Sequence, residues 1–550
     1  MTSTNSITGA QLIARSLKEQ GVTVVFGLVG IPVIGDACIS EGIKFIAFRN
    51  EQSARYMTGK PGVCLVVSGP GVVNALSGII NSQVNRWPMI AIGGSCETDM
   101  VGCGAFQELD QVALCAPYTK YSAKPKDTAN IRKFIQHGFN ESIRGKPGPV
   151  YLDFPADYIT SKINLDSIID ACQYFQVHST PDEETINVAS DILLSAKSPL
   201  VIIGKGAALS QSEDSINDLI ETTGFPFLPT PMGKGVVADK NPLNVSAART
   251  MALENADVVL ILGARLNWIL HFGKKFNKNA RIIQADIDSS EIGSNIPVDI
   301  PLVGSLENTV PMLVSSIKNR KEDLGPSCQQ PTEFLEKLTQ KIAQNSISIQ
   351  KKFESNVLPM SYHRAFYEIK KLIPPTSIFI SEGANTMDIA RSVFDFSLPR
   401  RRLDAGTFAT MGVGLGFSIA AQLAHPDEKV VAVVGDSAFG FSAMDVETAV
   451  RNKLPITFVV INNSGIYSGF GKEEYSAMSE KGILPPTALM PEIAYHDMAI
   501  SFGADGYLVR TPEELSVAFS KSLESKNFTV INCLIAPGGT KKLEFNWMKK

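Results

Sequence analysis

The chain has 550 residues, of which 44% are apolar and 19% charged, and its formal net charge is −4. This length exceeds what one hydrophobic core supports and predicts three or four domains, since domains average about 150 residues. The balanced charge argues against nucleic-acid and anionic-membrane partners, the eight scattered cysteines indicate a reducing compartment, and no apolar run reaches the length of a membrane span.

The first 160 residues are predicted to form one α/β domain. The amino terminus lacks the apolar core of a secretory signal, and Ile13 and Leu17 favour an amphipathic helix there. Apolar runs at 43–48 and 63–67 predict strands buried on both faces of a parallel sheet. Glu51 follows the first run and is therefore expected at a strand end, where a lone glutamate is usually a solvated loop residue.

The middle of the chain continues the alternation of strands and helices. Strands are predicted at 201–203 and 258–262, and the segments near 157–185 and 318–357 are predicted to be connectors. We therefore predict an α/β protein with three doubly wound parallel-sheet domains at 1–160, 183–318 and 355–540. The central domain carries Lys205 between two glycines, Arg265 after Gly-Ala, and Asp286, a weak pattern for nucleotide binding.

The strongest signal lies in the third domain, after strands predicted at 430–434 and 456–461. Gly-Asp-Ser follows the first strand and Asn-Asn follows the second. Parallel strands bind ligands at their carboxyl ends, Mg²⁺ prefers oxygen ligands, and backbone N–H groups at a helix start can meet a phosphate. We predict Asp436, Asn463 and the Gly465 carbonyl as metal ligands, with further cofactor contacts from Gly435, Ser437, Ala438 and Ile466. The alternative is a pair of polar turns with no ligand.

This arrangement resembles the thiamine diphosphate motif, which runs from GD(G/S) to NN. Further stretches match across nearly the whole chain: SGPG, GAFQE, PTPMGKG, GARLNW, SEGANTMD and RLDAG, at 68–71, 104–108, 229–235, 263–268, 381–388 and 402–406. Together they resemble the 2-hydroxyacyl-CoA lyase and oxalyl-CoA decarboxylase branch of the thiamine-diphosphate enzymes. GARLNWILHFG and GDSAFGFS favour the lyase within that branch.

The resemblance implies thiamine diphosphate and Mg²⁺ as cofactors and an acyl-CoA substrate. A lyase would cleave a 2-hydroxyacyl-CoA to formyl-CoA and a shortened fatty aldehyde, a step of fatty acid alpha-oxidation. Glu51 would hydrogen-bond N1′ of the aminopyrimidine, and a pKa raised by burial suits that task. Met411, in a glycine-rich segment, would hold the cofactor in a bent shape, although the segment could also be a packing turn.

Catalytic contacts with the reacting carbons are implied for Gln107 and Glu108, in one loop, and for Tyr467 just after the Asn-Asn pair. Each of the three could instead be an ordinary loop residue. Asn385 is also predicted at the substrate, and Arg401 and Arg402 could grip a CoA phosphate or form a solvated charge run. The decarboxylase branch binds ADP in its central domain, which suggests ADP as a further ligand here.

The resemblance also implies a homo-oligomer, a dimer or a tetramer, because the aminopyrimidine domain of one subunit meets the diphosphate domain of another. Relatives are often peroxisomal through a carboxy-terminal tripeptide, but this chain ends in Met-Lys-Lys, so a cytoplasmic location is the alternative.

The chain departs from its relatives beside Glu51. The helix expected after it is shorter by roughly seven residues, about two turns, a second shortening lies between Pro32 and Gly42, and Asn74 stands where lyases often carry His. Two alternatives to the lyase therefore stay open: an oxalyl-CoA decarboxylase, and a catalytically impaired paralogue that keeps the fold.

Overall fold

A computed structural model gives the structure of the chain and describes residues 5–50, 61–170, 178–324 and 332–538. Three parallel sheets of six, five and six strands follow one another along the sequence, each covered by helices. The predicted class, three doubly wound α/β domains, is confirmed. Within the described ranges no helix is long and apolar enough to cross a membrane.

The amino-terminal domain contains a six-stranded sheet and one small antiparallel pair. Its elements are β1 (Ser6–Thr8), α1 (Gly9–Glu19), β2 (Val24–Leu28), α2 (Val33–Ser40), β3 (Lys44–Ala47), β4 (Gly62–Val66), α3 (Pro70–Asn85), β5 (Met89–Ser95), α4 (Gln111–Cys115), β6 (Tyr121–Ala123), α5 (Ile131–Ile143), β7 (Pro149–Pro155), α6 (Ala156–Thr160) and β8 (Lys162–Asn164). The strand order is β3-β2-β4-β5-β7-β6, and β1 pairs with β8. Every residue of β7 is buried, as expected for a strand covered on both faces.

The central domain has a five-stranded sheet in the order β10-β9-β11-β12-β13. Its elements are α7 (Glu183–Ser195), β9 (Pro199–Ile203), α8 (Lys205–Leu209), α9 (Glu213–Thr223), β10 (Phe227–Pro229), α10 (Arg249–Asn255), β11 (Val258–Leu262), β12 (Arg281–Asp286), β13 (Ile300–Val303) and α11 (Leu306–Leu324). A long helix, α12 (Thr332–Phe353), leads to the third domain, and its Phe334 and Leu338 pack on the central core. The segment predicted as a connector near 318–357 thus contains a long helix.

The carboxy-terminal domain has a six-stranded sheet in the order β15-β14-β16-β17-β19-β18. Its elements are α13 (Tyr362–Leu372), β14 (Ile378–Glu382), α14 (Ala384–Val393), β15 (Arg402–Asp404), α15 (Gly414–Ala424), β16 (Val430–Gly435), α16 (Asp436–Gly440), α17 (Asp445–Arg451), β17 (Thr457–Asn462), α18 (Lys472–Glu480), α19 (Tyr495–Ser501), β18 (Asp505–Val509), α20 (Pro512–Glu524) and β19 (Thr529–Leu534). Short 3-10 turns elsewhere lie at Thr98–Met100, Ala116–Tyr118, Thr128–Asn130, Leu165–Ser167, Ser246–Ala248 and Trp268–Gly273.

The first and third domains share one hydrophobic core. A single cluster of buried side chains includes residues of both sheets, and the Trp87 ring meets the Phe417 ring edge-on, with centroids 5.3 Å apart. The central domain reaches the same junction through the segment after β15: the Trp268 indole N–H donates to the Thr407 carbonyl over 3.0 Å. The three domains therefore meet beside the glycine-rich segment that follows β15, while the limits 1–160, 183–318 and 355–540 stay predictions.

Candidate active site

The two polar turns predicted from the sequence lie side by side. β16 and β17 are parallel neighbours, and Gly435 at the end of β16 pairs with Ile461 near the end of β17. Asp436 begins α16 directly after the first strand, and Asn463 follows the second. The topology thus places a carboxylate and an amide at adjacent carboxyl ends of a doubly wound sheet, where such sheets bind ligands.

Asp436 is a buried carboxylate held by backbone N–H groups. It is 2% exposed, and its two oxygens accept from the N–H groups of Ser437 (2.8 Å) and Gly465 (3.2 Å). Burial raises the pKa of Asp436 to about 6, against the opposing effect of these hydrogen bonds. Its second bond crosses to the turn after β17, so Asp436 links the two strand ends.

The turn after β17 is shaped by Asn463, Gly465 and Tyr467. The side-chain amides of Asn463 and Asn385 both donate to the Tyr467 carbonyl, over 3.2 and 2.7 Å. Tyr467 has a φ of 70°, and a Cβ at Gly465 would lie 2.4 Å from the Ser468 carbonyl oxygen. The turn therefore requires glycine at 465 and brings three predicted site residues together: Asn385, Asn463 and Tyr467.

These residues fit a divalent cation and a diphosphate. The Asn463 Nδ2 atom is engaged with Tyr467, which leaves Oδ1 as the side-chain atom that can face a cation. One carboxylate, one amide oxygen and one turn carbonyl form a hard-oxygen set of the kind Mg²⁺ takes together with phosphate oxygens. A cation beside the buried Asp436 carboxylate would favour its ionised form. Among the described residues there is no cluster of three or more His, Cys, Asp or Glu side chains, and this donor set needs none.

Other predicted cofactor contacts surround these turns. Ser437 is half-buried and Ala438 buried in the first turn of α16, while Ile466 is 38% exposed and donates its N–H to the Thr487 carbonyl. Met411 is half-buried and packs against the core shared by the first and third domains. Ser437, Ala438 and Ile466 thus belong to the turns after β16 and β17, and Met411 lies between β15 and α15; their contacts with a cofactor stay predictions.

Two tyrosines near Asp436 were not predicted. Burial raises the pKa of Tyr362, and the Asp436 carboxylate adds to the rise; the hydroxyl also bonds the side chains of Thr386 and Asn385. Burial and then Asp436 raise the pKa of Tyr495 to about 12. Both lie far from the motif in sequence, at 362 and 495, and only their aromatic type, with no spacing rule, could have indicated them.

The predicted substrate loop of the first domain is rigidly built. Gln107, with a φ of 55°, accepts a hydrogen bond from the Ser68 hydroxyl over 3.2 Å. The Glu108 carboxylate accepts from the backbone N–H groups of Gly102, Gly104 (2.9 Å) and Ala105 (3.0 Å), and these bonds, Gly102 first, hold its pKa below the ordinary value. Glu108 therefore organises its own loop, and its catalytic role stays a prediction.

The SGPG segment beside this loop is tied to a buried polar network that the sequence did not indicate. Gln111 is 1% exposed and accepts from the Gly69 N–H over 2.6 Å. Its amide donates to the Asp153 carboxylate over 2.8 Å and to the Tyr151 hydroxyl over 3.0 Å. This network fixes the strand ends from which the loop projects.

Glu51, the predicted catalytic glutamate, lies outside the described residues, as does the shortened segment after it. The residues just before it are described and contact α17 of the same chain. The Arg49 N–H donates to Asp445 over 2.7 Å, its guanidinium pairs with Glu447 over 3.0 Å, and Arg451 donates to the Ala47 carbonyl over 2.6 Å. The strand end that leads to Glu51 is thus fixed on the carboxy-terminal domain.

The predicted CoA-binding arginines are engaged elsewhere. Arg402 is 2% exposed, pairs with the Asp404 carboxylate at 2.5 Å and donates to the Ser381 hydroxyl over 3.1 Å. Arg401 pairs with Glu428 over 2.9 Å. The structure does not bring these two guanidinium groups to the Asp436 turn, and their contact with CoA stays a prediction with both groups already paired.

A cavity of about 730 Å³ lies at the carboxyl ends of the central strands and reaches the segment after β15. Lys205, Arg265, Asp286 and Arg86 line it. The Lys205 ammonium donates to the Asn85 carbonyl and lies 4.5 Å from the centre of the Trp87 ring, and burial holds its pKa well below the ordinary value. Burial raises the pKa of Asp286 to about 6. The cavity joins cations and a carboxylate at the edge where a doubly wound sheet takes nucleotides.

Family models match all three domains. Residues 7–114 match the N-terminal TPP binding domain of thiamine pyrophosphate enzymes, residues 186–313 match their central domain, and residues 382–533 match their C-terminal TPP binding domain. The last match contains both polar turns. The thiamine diphosphate motif proposed from Asp436 and Asn463 thus lies within a matched cofactor-binding domain.

Whole-chain relatives agree with the domain matches. The chain is 43% identical to 2-hydroxyacyl-CoA lyase 1 of Mus musculus, across 100% of the chain and 97% of the relative. It is 42% identical to 2-hydroxyacyl-CoA lyase of Arabidopsis thaliana, over 97% and 96%. It is 37% identical to oxalyl-CoA decarboxylase of Escherichia coli, over 96% and 95%. The mouse alignment spans 571 positions and all of this chain, so the relative has residues where this chain has none.

Proposed function

The chain belongs to the thiamine pyrophosphate enzyme family, and on that premise we propose that it is a 2-hydroxyacyl-CoA lyase that uses thiamine diphosphate and Mg²⁺. Its substrate would be a 2-hydroxyacyl-CoA, cleaved to formyl-CoA and a fatty aldehyde one carbon shorter, as in fatty acid alpha-oxidation. The observation that carries the proposal is the junction of Asp436, Asn463 and Tyr467 at two adjacent strand ends. The higher identity to lyases than to the decarboxylase favours the lyase.

The chain's residues divide the work of holding the cofactor and the substrate. Asp436, Asn463 and the Gly465 carbonyl would hold Mg²⁺ against the diphosphate, and the N–H groups at the start of α16 would receive its oxygens. Thiamine diphosphate, when bound, supplies the electron sink that lets the bond between C1 and C2 of the substrate break. Glu51 would hold a proton at N1′ of the aminopyrimidine.

The residues proposed to face the reacting carbons have side chains that other contacts hold in fixed orientations. Asn385 is held by the Tyr467 carbonyl, so its carbonyl oxygen is oriented, and the Tyr467 ring extends from a turn of positive φ. Gln107 is held through Ser68. Such fixed groups can orient a 2-hydroxyl and a thioester without reorganising during the reaction.

Product analysis tests the proposal. Purified protein with thiamine diphosphate, Mg²⁺ and 2-hydroxyhexadecanoyl-CoA should give formyl-CoA and the shortened aldehyde, and Glu51→Gln should give neither. The parent protein should turn over oxalyl-CoA more slowly than 2-hydroxyhexadecanoyl-CoA. Faster release of CO₂ from oxalyl-CoA would favour the decarboxylase alternative. Failure of the parent to turn over either substrate while it stays folded would favour the impaired paralogue, which the shortened segment after Glu51 motivates.

We propose that the active form is a homo-oligomer, a dimer or a tetramer. Large apolar side chains are exposed in two places. Met100, Val101 and Phe106 lie at the Gln107 loop of the first domain, and Phe441 and Met444 follow α16 in the third. Exposed apolar patches of this kind mark protein interfaces. In a two-fold dimer, the first-domain patch of each subunit could pack against the third-domain patch of the other. In sedimentation velocity, Phe106→Asp should lower the assembly mass, whereas Ile347→Asp, on the exposed face of α12, should not.

We further propose that the central cavity binds an adenine nucleotide such as ADP. Lys205 and Arg265 line this cavity and would contact the phosphates, and Asp286, at the end of β12, would accept from a ribose hydroxyl. Calorimetry with ADP should show a single site per chain, and Asp286→Ala should weaken it. The compartment, peroxisomal or cytoplasmic, stays a prediction.

A further inference from the structure

Glu382 is a buried carboxylate with no role in the proposed reaction. It ends β14 and is 1% exposed. One of its oxygens accepts from the N–H of Gly412, and the other accepts from the N–H of Gly414 over 2.5 Å. Gly412 directly follows Met411, and Gly414 comes two residues later. A single side chain thus holds the backbone on one side of the predicted cofactor support.

The turn is shaped to receive this carboxylate. Gly412 has a φ of 89°, a region that favours glycine. A Cβ on Gly414 would lie 2.7 Å from Glu382 Oε2 and 2.9 Å from a Val434 methyl group. Gly414 also begins α15, whose N-cap residue Val413 makes no side-chain hydrogen bond. Glu382, at the end of β14, therefore accepts a hydrogen bond from a backbone N–H in the first turn of α15.

The other end of the segment is fixed as well. The Thr407 N–H donates to the Asn85 side chain over 2.9 Å, and the Trp268 indole donates to the Thr407 carbonyl. Only a few residues separate Thr407 from Gly412, the first glycine that Glu382 holds. Met411 directly precedes Gly412. The position of Met411 is thus set by contacts at both ends of a short span.

The pairing of β14 with β16 also fixes the position of Glu382 relative to Asp436. In the pairing of β14 with β16, Glu382 lies opposite Val434, two residues before Asp436. The hydrogen-bond register of two buried strands therefore sets the spacing between the Met411 turn and the Asp436 turn. A cofactor that spans both turns would take its shape from this spacing.

We propose that Glu382 is a positioning residue that fixes Met411 relative to the diphosphate turn and so sets the bent shape of the bound cofactor. The inference rests on the proposed function. If Glu382 served only as a helix cap, its loss would lower stability alone. If it positions Met411, its loss lowers proton transfer at the cofactor even when the protein is folded and saturated.

The decisive measurement is hydrogen–deuterium exchange at C2 of thiamine diphosphate, at saturating cofactor and Mg²⁺, in parent and Glu382→Gln. Gln keeps the shape but aims an amide N–H at one backbone donor. Because a displacement of about 1 Å can cost about 100-fold in rate, we expect a loss of that order. The cofactor Kd should rise by less than about tenfold. In the cofactor-free variant, the Gly412 and Gly414 amides should exchange faster.

Glu368→Gln is the matched control. Glu368 is a carboxylate of the same domain, 2% exposed, that pairs with Arg364 and Lys371 on α13. Its loss should lower thermal stability and leave C2 exchange at the parental rate. Equal loss of C2 exchange in both variants would overturn the proposal, and so would a parental rate in Glu382→Gln.

Two further variants test the role of Glu382 if Glu382→Gln does not fold. Gly414→Ala places a methyl group against Glu382 Oε2 and should slow C2 exchange; a parental rate overturns the proposal. Met411→Ala should slow exchange alone, and adding Glu382→Gln to it should cause little further loss, because contacting residues that act together are not additive. Full additivity overturns it. A parent that binds cofactor but shows no C2 exchange overturns the proposed function itself, and this inference with it.

Discussion

The carboxy-terminal turns and the central cavity both lie at the carboxyl ends of parallel strands, yet they are built from different chemistry. Around Asp436 a single carboxylate is surrounded by backbone N–H groups and amides. In the central cavity the ionisable side chains of Lys205, Arg265 and Asp286 lie near one another, and burial opposes the charged form of each. Topology fixes where a ligand can bind, and the residues at the strand ends fix which ligand that is.

The difference has consequences for tolerance to mutation. The first site depends on backbone shape, as the contact of a Gly465 Cβ with the Ser468 carbonyl indicates. The second depends on charge, since burial opposes the ionised forms of both Lys205 and Asp286. Each site should therefore fail independently, and variants can separate them.

The largest effect is expected for Asp436→Asn, which removes the only carboxylate of the proposed metal set. Lyase turnover at fixed Mg²⁺ should fall by more than about 100-fold, because losing only a hydrogen-bond partner of a metal ligand already costs about 10- to 100-fold. ADP binding in the central cavity should stay parental. Product assays and calorimetry measure the two. Exposed Asp497→Asn is the control, and parental turnover in Asp436→Asn would contradict the metal assignment.

Lys205→Met tests the opposite separation. The lost ammonium removes a charged contact with a nucleotide phosphate, worth about 1.5–3 kcal/mol, so the ADP Kd should rise roughly 10- to 150-fold. Thiamine diphosphate binding should be unchanged. Calorimetry with each ligand gives both values, and an unchanged ADP Kd would exclude Lys205 as a phosphate contact.

Asp286→Asn probes the charge in the cavity through pH. The folded chain binds the Asp286 proton more tightly than the unfolded chain, since the pKa is about 6 against an ordinary 3.8. This stabilising effect is complete below about pH 4 and is lost as the pH rises to about 6. At pH 7–8 the variant should be more stable by at most about 3 kcal/mol, and the gain should vanish at pH 4.

Melting curves between pH 4 and 8, in the absence of nucleotide, measure this difference. Exposed Asp427→Asn serves as the control and should follow the parent at every pH. A gain for Asp286→Asn that is the same at pH 4 and pH 8 would show that the effect does not come from the carboxylate's titration.

The smallest effect is expected for Thr407→Val, at the contact between the two regions. The Thr407 hydroxyl bonds the Arg265 guanidinium and the Asn85 side chain, both over 3.3 Å. Their loss should cost about 0.5–1.5 kcal/mol in denaturant unfolding. Each ligand's Kd should be independent of the other ligand in both proteins. A Kd for thiamine diphosphate that depends on ADP in the parent but not in Thr407→Val would refute the independence of the two sites.

Local pattern was enough to predict the strands and the polar turns. Continuous apolar runs gave β11 and β16 within one residue of their observed bounds, since a strand buried on both faces has no polar alternation to confuse it. Asp436 and Asn463 could be placed together because adjacent parallel strands end at one edge. Neither prediction needed a long-range partner.

Side-chain partners over long separations could not be predicted. Three consecutive arginines look like one solvated run, but Arg400 pairs with Glu213, Arg401 with Glu428, and Arg402 with buried Asp404. The Glu382 carboxylate likewise meets two glycine N–H groups thirty and thirty-two residues away. Which charge is buried depends on packing that no local spacing encodes.

The bond between Thr407 and Asn85 joins residues 322 positions apart. At about 5–20 residues per second, a ribosome needs tens of seconds, roughly, to pass from one to the other. During that time the amino-terminal domain can fold, but the buried Asn85 amide has not yet met its partner. Synthesis that stops before Thr407 would leave the Asn85 side chain without this donor, beside a Trp87 ring that has not yet met Phe417. The order of synthesis thus delays closure of the junction until the cofactor segment has been made.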